Sequence, residues 1–226
     1  MTSYRYYRDN LAAGQLEQAY ELAPPRIRQY LEAEIGHVVD RIRPGDVVLE
    51  LGCGYGRILE RLATKARVVV GVDNSLSSLG LGKSRTRHDV GILWICTDAS
   101  RPGLRPGAFD CVVCIQNGIS AFHVDRRTLI AESINLARRG GLVLFSSYSE
   151  RIWGDRLKWF ELQADAGLVG EIDYARTGKG IIVCKDGFTA GTVSPEEFAR
   201  LTEGLNVDSR TVEIDGSSLF CEIKVR

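Results

Sequence analysis

The stretch Val47-Val48-Leu49-Glu50-Leu51-Gly52-Cys53-Gly54-Tyr55-Gly56 decides the fold. Residues 47–51 form a nearly continuous apolar run, as expected of a parallel strand buried on both faces. Glycines then stand at every second position. They let the chain turn sharply and let a ligand approach where a Cβ would intrude. Residues 57–66 read as a helix whose first N–H groups are unpaired. Strand, glycine turn and helix in that order predict a cofactor-binding loop.

Outward from this unit the same rhythm repeats. Strands are expected at 68–73, 92–97, 111–116 and 142–147, with helices at 76–88, 125–139 and 155–166 between or after them. Upstream, Ile27, Leu31, Ile35, Val38 and Ile42 recur at helical spacing behind Pro24-Pro25, and residues 11–22 suggest a shorter helix. Downstream, residues 180–191 read as a hairpin around Lys185-Asp186-Gly187, and Ser194-Pro195-Glu196-Glu197 opens a helix with a capping box. Two final strands at 207–214 and 219–225 are joined too closely for a parallel crossover, so they are antiparallel neighbours. The expected fold class is α/β: a doubly wound, mostly parallel seven-stranded sheet with an antiparallel terminal strand, an N-terminal helical cap and an inserted hairpin. We expect one domain over residues 1–226, with the cap at 1–45, the core at 46–150, the helix and hairpin insertion at 151–193, and the terminal helix and strand pair at 194–226.

The second strand ends in Gly71-Val72-Asp73, where a carboxylate at the strand edge can accept from both hydroxyls of a ribose. The third ends in Thr97-Asp98-Ala99. Either acid could instead cap the following helix. Dinucleotide-binding loops show G-x-G-x-x-G, whereas residues 50–56 show E-x-G-x-G-x-G, which resembles the first motif of class I S-adenosylmethionine-dependent methyltransferases. The resemblance continues in Phe109-Asp110-Cys-Val-Val-Cys-Ile-Gln116-Asn117-Gly118, similar to the family's fourth motif, and in Arg139-Gly140-Gly141-Leu-Val-Leu-Phe-Ser146, similar to its turn and fifth strand. It spans residues 46–226.

The resemblance implies S-adenosylmethionine as cofactor, its methionine part over the glycine loop. Glu50, Gly52, Gly54, Gly56, Asp73, Asn74, Asp98, Ala99 and Gln116 are the expected cofactor residues. Asp98 is the candidate for the adenine amino group. Glu50 either meets the methionine amino group or fixes the loop. Residues 114–118 also look somewhat like the C-x-G-N-S stretch of small-molecule N-methyltransferases related to glycine N-methyltransferase, although Gln116 replaces the glycine. Asn117 is the expected polar contact beside the transferred methyl. His123 is either an optional base or a solvated loop histidine, and Tyr4, Tyr6 and Tyr7 either fill the core or surround a sulfonium. His37 and His88 receive no role.

Lys and Arg, 29 in all, balance 29 Asp and Glu, and no basic run marks a polyanion footprint. With the motifs of base-amino, cytosine C5 and arginine methyltransferases absent, a small-molecule methyl acceptor is expected and nucleic acid is not. The alternatives are an RNA or protein acceptor, a nucleotide-cofactor oxidoreductase, and a binding protein without turnover. No apolar run reaches membrane-span length and no leader is legible, so a cytoplasmic location is expected. The cysteines in apolar strands read as buried thiols. Cys111 and Cys114, three apart on a strand, point to opposite faces and make no metal site.

Overall fold

The computed structural model describes residues 6–87 and 91–226; Tyr4 and His88 lie outside them. Its centre is a seven-stranded sheet built from β1 (Val47–Leu51), β2 (Val68–Asp73), β3 (Ile92–Cys96), β4 (Phe109–Cys114), β5 (Ala137–Tyr148), β8 (Val207–Ile214) and β9 (Ser218–Val225). The spatial order is β3-β2-β1-β4-β5-β9-β8. β1 to β5 pair in parallel, while β9 runs antiparallel to both β5 and β8. The strand order reverses between β1 and β4, which opens a crevice at their carboxyl ends.

Side-chain alternation divides the core in two. Leu49, Val112 and Cys114 pack with Ile119 of the short α6 (Gly118–Ala121), Leu129, Ile130 and Leu136 of α7 (Arg126–Leu136) and Phe198 of α9 (Pro195–Thr202). On the other face, Val48, Cys111 and Val113 meet Ile35 and Val38 of α3 (Pro25–Val39), Leu59 and Leu62 of α4 (Leu59–Ala63), and Leu79 of α5 (Leu76–Arg85). Cys111 and Cys114 therefore do face apart. Five cysteines are buried and none is paired, but Cys96 is exposed because β3 is an edge strand. Among the described residues no group of His, Cys, Asp and Glu could hold a metal ion.

A smaller cluster joins the N-terminal cap to the insertion. Leu11 and Ala19, from the region of α1 (Tyr6–Asn10) and α2 (Gly14–Glu21), pack on Phe160 of α8 (Trp153–Asp165) and on Ile182, Phe188 and Ala190 of the hairpin β6 (Ile182–Val183) and β7 (Thr189–Ala190). Tyr6 Oη donates to Asp186 Oδ2 at 2.5 Å, pinning α1 to the hairpin turn.

Local departures from the sequence reading have physical causes. α4 begins at Leu59, since positive φ at Gly52, Gly54 and Gly56 keeps the loop in successive turns. The strand β5 begins at Ala137, earlier than expected, because the Gly140-Gly141 turn is absorbed as an irregularity at its start, with Gly140 at φ 71°. Ser194 caps α9 by accepting from Glu197 N, but the return arm of the capping box is missing. The Glu197 carboxylate instead takes Arg126 Nη1 at 2.5 Å.

Candidate functional site

The carboxyl ends of β1, β2 and β4 open into a cavity whose roof is the N-terminal cap and α8. Glu50, Gly52, Gly54, Asp73, Asn74, Asp98, Ala99 and Gln116 all line it, so the fold gathers eight of the expected cofactor residues around one space. Tyr7 and Tyr20 of the cap, Tyr148 at the end of β5, and Trp159 and Phe160 of α8 add aromatic rings to the lining, as does Tyr55 within the glycine loop itself.

Glu50 closes β1. It is buried and its Oε2 has no hydrogen-bond partner. Burial pushes its carboxyl up to about 8, Asp73 raising it further and the Arg57 guanidinium opposing. Arg57 also lines the cavity, with Nε and Nη2 buried and unpartnered. An orphan carboxylate oxygen beside two orphan guanidinium N–H groups is the complement of an α-amino acid: ammonium to the first, carboxylate to the second.

The acids at the ends of β2 and β3 each hold a turn as well as line the cavity. Asp73 Oδ2 accepts from Gly54 N at 2.9 Å and Oδ1 from Ser75 N at 2.8 Å. Burial raises its pKa against these backbone N–H groups. Asp98 Oδ1 accepts from Ser100 N at 2.8 Å and Ser100 Oγ at 2.7 Å. A carboxylate oxygen has lone pairs for more than one donor, so both acids can still meet a ligand.

Three expected site residues lie outside the cavity lining. Gly56 serves packing: at φ 78°, a Cβ there would collide with the Trp94 ring. By contrast, Gly52 faces the space near Phe122, where a Cβ would lie 2.6 Å from the ring. The Asn117 amide is consumed by structure, Nδ2 donating to the Gly191 carbonyl at 2.9 Å and Oδ1 accepting from Ser147 Oγ at 2.9 Å. These bonds tie the loop after β4 to β5 and to the chain leaving the hairpin, and they turn the side chain away from the expected position. His123 is half-buried at φ 50°, and burial together with Arg126 holds its imidazole below the ordinary range.

Several contributors escaped the sequence reading. Arg57 was legible only as the start of a helix, although a basic residue directly behind a glycine loop is itself a signal. Glu34 interrupts the apolar face of α3 one turn from Leu31 and Val38, and a lone acid on such a face marks a buried tie. Its Oε2 accepts from Gln116 N at 2.8 Å and its Oε1 from Ser218 Oγ at 2.5 Å, holding Gln116 at φ 56°. Burial raises the Glu34 carboxyl while these donors oppose. Tyr20 reaches from α2 to place its hydroxyl 2.9 Å from Gln116 Oε1, and no periodicity foretells that contact.

Residues 48–141 match the family model described as a methyltransferase domain. Over 137 residues the chain is 28% identical to the ubiquinone biosynthesis O-methyltransferase of Coxiella burnetii, covering 60% of this chain and 54% of that protein. It thus spans about half the length of the curated relatives it matches. The structure is similar to the N-methyltransferase NodS of Bradyrhizobium japonicum in complex with S-adenosyl-L-homocysteine, with a TM-score of 0.59, 17% identity, and coverage of 100% of this chain and 99% of that one. A methyltransferase structure from Aquifex aeolicus aligns with a TM-score of 0.62 at 12% identity, covering 93% and 98%. At such identities the structural likeness concerns the fold.

Proposed function

We propose that this chain, whose residues 48–141 belong to the methyltransferase-domain family, transfers a methyl group from S-adenosylmethionine to a small-molecule acceptor. The observation that carries the reading is the orphan pair Glu50 Oε2 and Arg57 Nε/Nη2 at the glycine loop, complementary to the amino-acid end of that cofactor. Asp73, Asn74, Asp98 and Ala99 would hold its adenosine end, in the order in which β2 and β3 present them. The cofactor, when bound, supplies a methyl group already activated on a sulfonium.

Such a methyl needs no residue to form a covalent intermediate. What remains for the protein is to hold the acceptor lone pair in line and keep water out. Gln116 and Tyr20 fix one side of the chamber, while Tyr148, Trp159 and Phe160 close the other. Among the described residues no imidazole or amine lines the cavity, His123 included, and burial pushes the thiol of Cys53, which does line it, far above its usual range. The reading therefore assigns the rate to positioning, with the acceptor's own acidity setting how readily its proton leaves.

A roofed chamber suits a compact acceptor better than a polymer. No helix among the described residues is long and apolar enough to cross a membrane. Five buried unpaired thiols suit the reducing cytoplasm, which we propose as its location. Calorimetric titration with S-adenosylmethionine, S-adenosylhomocysteine and NAD, followed by an assay for S-adenosylhomocysteine release over a panel of small acceptors, tests the reading. Binding of both S-adenosyl compounds without NAD is expected; preference for NAD would overturn it. Turnover confined to RNA or protein would overturn only the acceptor.

A further inference from the structure

The cap meets the cofactor floor at a turn that does not suit its sequence. Gln15 N donates to the Ala12 carbonyl at 3.1 Å, closing a β-turn over residues 12–15. Its second residue, Ala13, has φ 50° and ψ −119°. That is the first central position of a type II′ turn, where a Cβ is crowded and glycine is the residue that fits. The glycine of this stretch stands one place later, at Gly14, where φ is not positive. An alanine therefore carries the conformation that its neighbour could adopt freely.

The turn is tied directly to the floor. Ala13 N donates to Ser78 Oγ at 2.8 Å, and Ser78, buried in α5, lines the cavity together with Ser75 and Asp73. The same turn starts α2, whose first bond runs from Glu17 N to the Ala13 carbonyl at 3.0 Å. Further along, Leu16 presses on the glycine loop, its Cδ2 lying 3.0 Å from where a Cβ on Gly54 would stand. Glu17 pairs with Arg85 at the far end of α5. α2 is thus seated on the glycine loop and on α5, and Leu16, Ala19 and Tyr20 line the cavity from it. Lifting that seat uncovers the loop and the Asp73 turn together.

The strain at Ala13 belongs to the seated arrangement. The other contact of α2 with the floor, Tyr20 on Gln116, also ends on a residue at positive φ, but there Glu34 fixes the backbone from α3, independently of the cap. Around Ala13 the chain is loosely held: Ala12 and Ala13 are half-buried and Gly14 is exposed. Released from Ser78, the turn can relax to the negative φ ordinary for alanine. Strain of this kind persists only where the surroundings impose it, and it weights the equilibrium toward the state that relieves it. Closing the cap loads the Ala12–Gln15 turn, and opening it unloads the turn.

We propose that Ala13 sets how long the cap stays closed over the bound cofactor, its strained turn favouring opening and so speeding release of S-adenosylhomocysteine after each transfer. The proposal rests on the methyltransferase reading and adds a control over exchange at the same site. Ala13→Gly removes the crowded Cβ and leaves the Ser78 bond in place. Dissociation of labelled S-adenosylhomocysteine, chased with excess unlabelled compound, is expected to slow about fivefold in this variant. Ser78→Ala frees the turn and should speed release, and in that background Ala13→Gly should alter the rate by less than about twofold. Release from Ala13→Gly within about twofold of wild type or faster, or an equal slowing with and without the Ser78 hydroxyl, would overturn the proposal and leave the turn a purely structural irregularity. Failure of S-adenosylhomocysteine to bind any of these proteins would instead remove the methyltransferase reading.

Discussion

Binding of the cofactor should expel a proton, and Glu50 is the source. In the free protein its carboxyl titrates near 8, so at pH 7 about one site in ten is ionised and at pH 6 about one in a hundred. An ammonium at Oε2 needs the ionised form, so affinity should rise about tenfold per pH unit between pH 6 and 7 and level off around 8. Replacing Glu50 by Gln removes the charge-assisted bond, with an expected cost of about 1.5–3 kcal/mol at pH 8. At pH 6 the wild type has itself lost about 2.7 kcal/mol to protonation, so the two proteins should converge there. Stability supplies the opposite sign. A carboxyl whose pKa is raised by folding contributes stability below its unfolded value near 4.5, which is lost as pH climbs toward 8. The ligand-free protein should therefore melt at progressively lower temperature across that interval, and Glu50→Gln should flatten this contribution. Calorimetry with S-adenosylhomocysteine in buffers of different ionisation enthalpy counts the released protons directly. Proton release near zero at pH 7, with a pH-independent gap between wild type and Glu50→Gln, would refute the reasoning.

Asp73→Ala should weaken S-adenosylhomocysteine by about 1–3 kcal/mol in the same titration, since a charged acceptor is lost together with its hold on Gly54 N. Gly56→Ala forces a Cβ against Trp94 at positive φ, so thermal or denaturant unfolding should show a loss of about 2–4 kcal/mol. Asn117→Ala should lower stability by about 1–3 kcal/mol through its bonds to Ser147 and Gly191, with S-adenosylhomocysteine affinity changed by less than about threefold. Hydrogen exchange across residues 6–25 should slow when cofactor is added, because Tyr7, Leu11, Leu16, Ala19 and Tyr20 line the cavity; protection already equal to that of the sheet would dismiss a moving cover.

Legibility in the sequence followed the range of the forces involved. The run 47–56 exposed its fold because burial on two faces and the glycine turn are local demands, met by residues adjacent in the chain. Ser194, Pro195 and the final hairpin were readable for the same reason. Glu50, Asp73 and Asp98 could be placed because strand ends in a parallel sheet converge at one edge. Asn117 misled because its neighbours suggested a ligand contact, while its actual partners, Ser147 and Gly191, stand 30 and 74 residues away. Glu197 likewise found Arg126 across the fold instead of its own helix end. Gln116 was found by position, yet its fixed orientation depends on Glu34 and Tyr20 from the cap, which no spacing within the motif encodes.

The Pro24-Pro25 break separates two kinds of chain. Behind it, α3 is bolted to the sheet: Glu34 reaches Ser218, while His37 and Arg41 share Glu222 with Arg210. Ahead of it, the chain meets the body through a few anchors, including Tyr6 to Asp186, Ala13 N to Ser78 and the Ala19 carbonyl to Trp159. The break is thus a natural splice point. A donor cap grafted ahead of Pro24 would replace much of the chamber's roof while leaving the cofactor floor, and the Glu34 tie that shapes Gln116, in the host's hands, so acceptor preference becomes a transplantable property of some twenty residues.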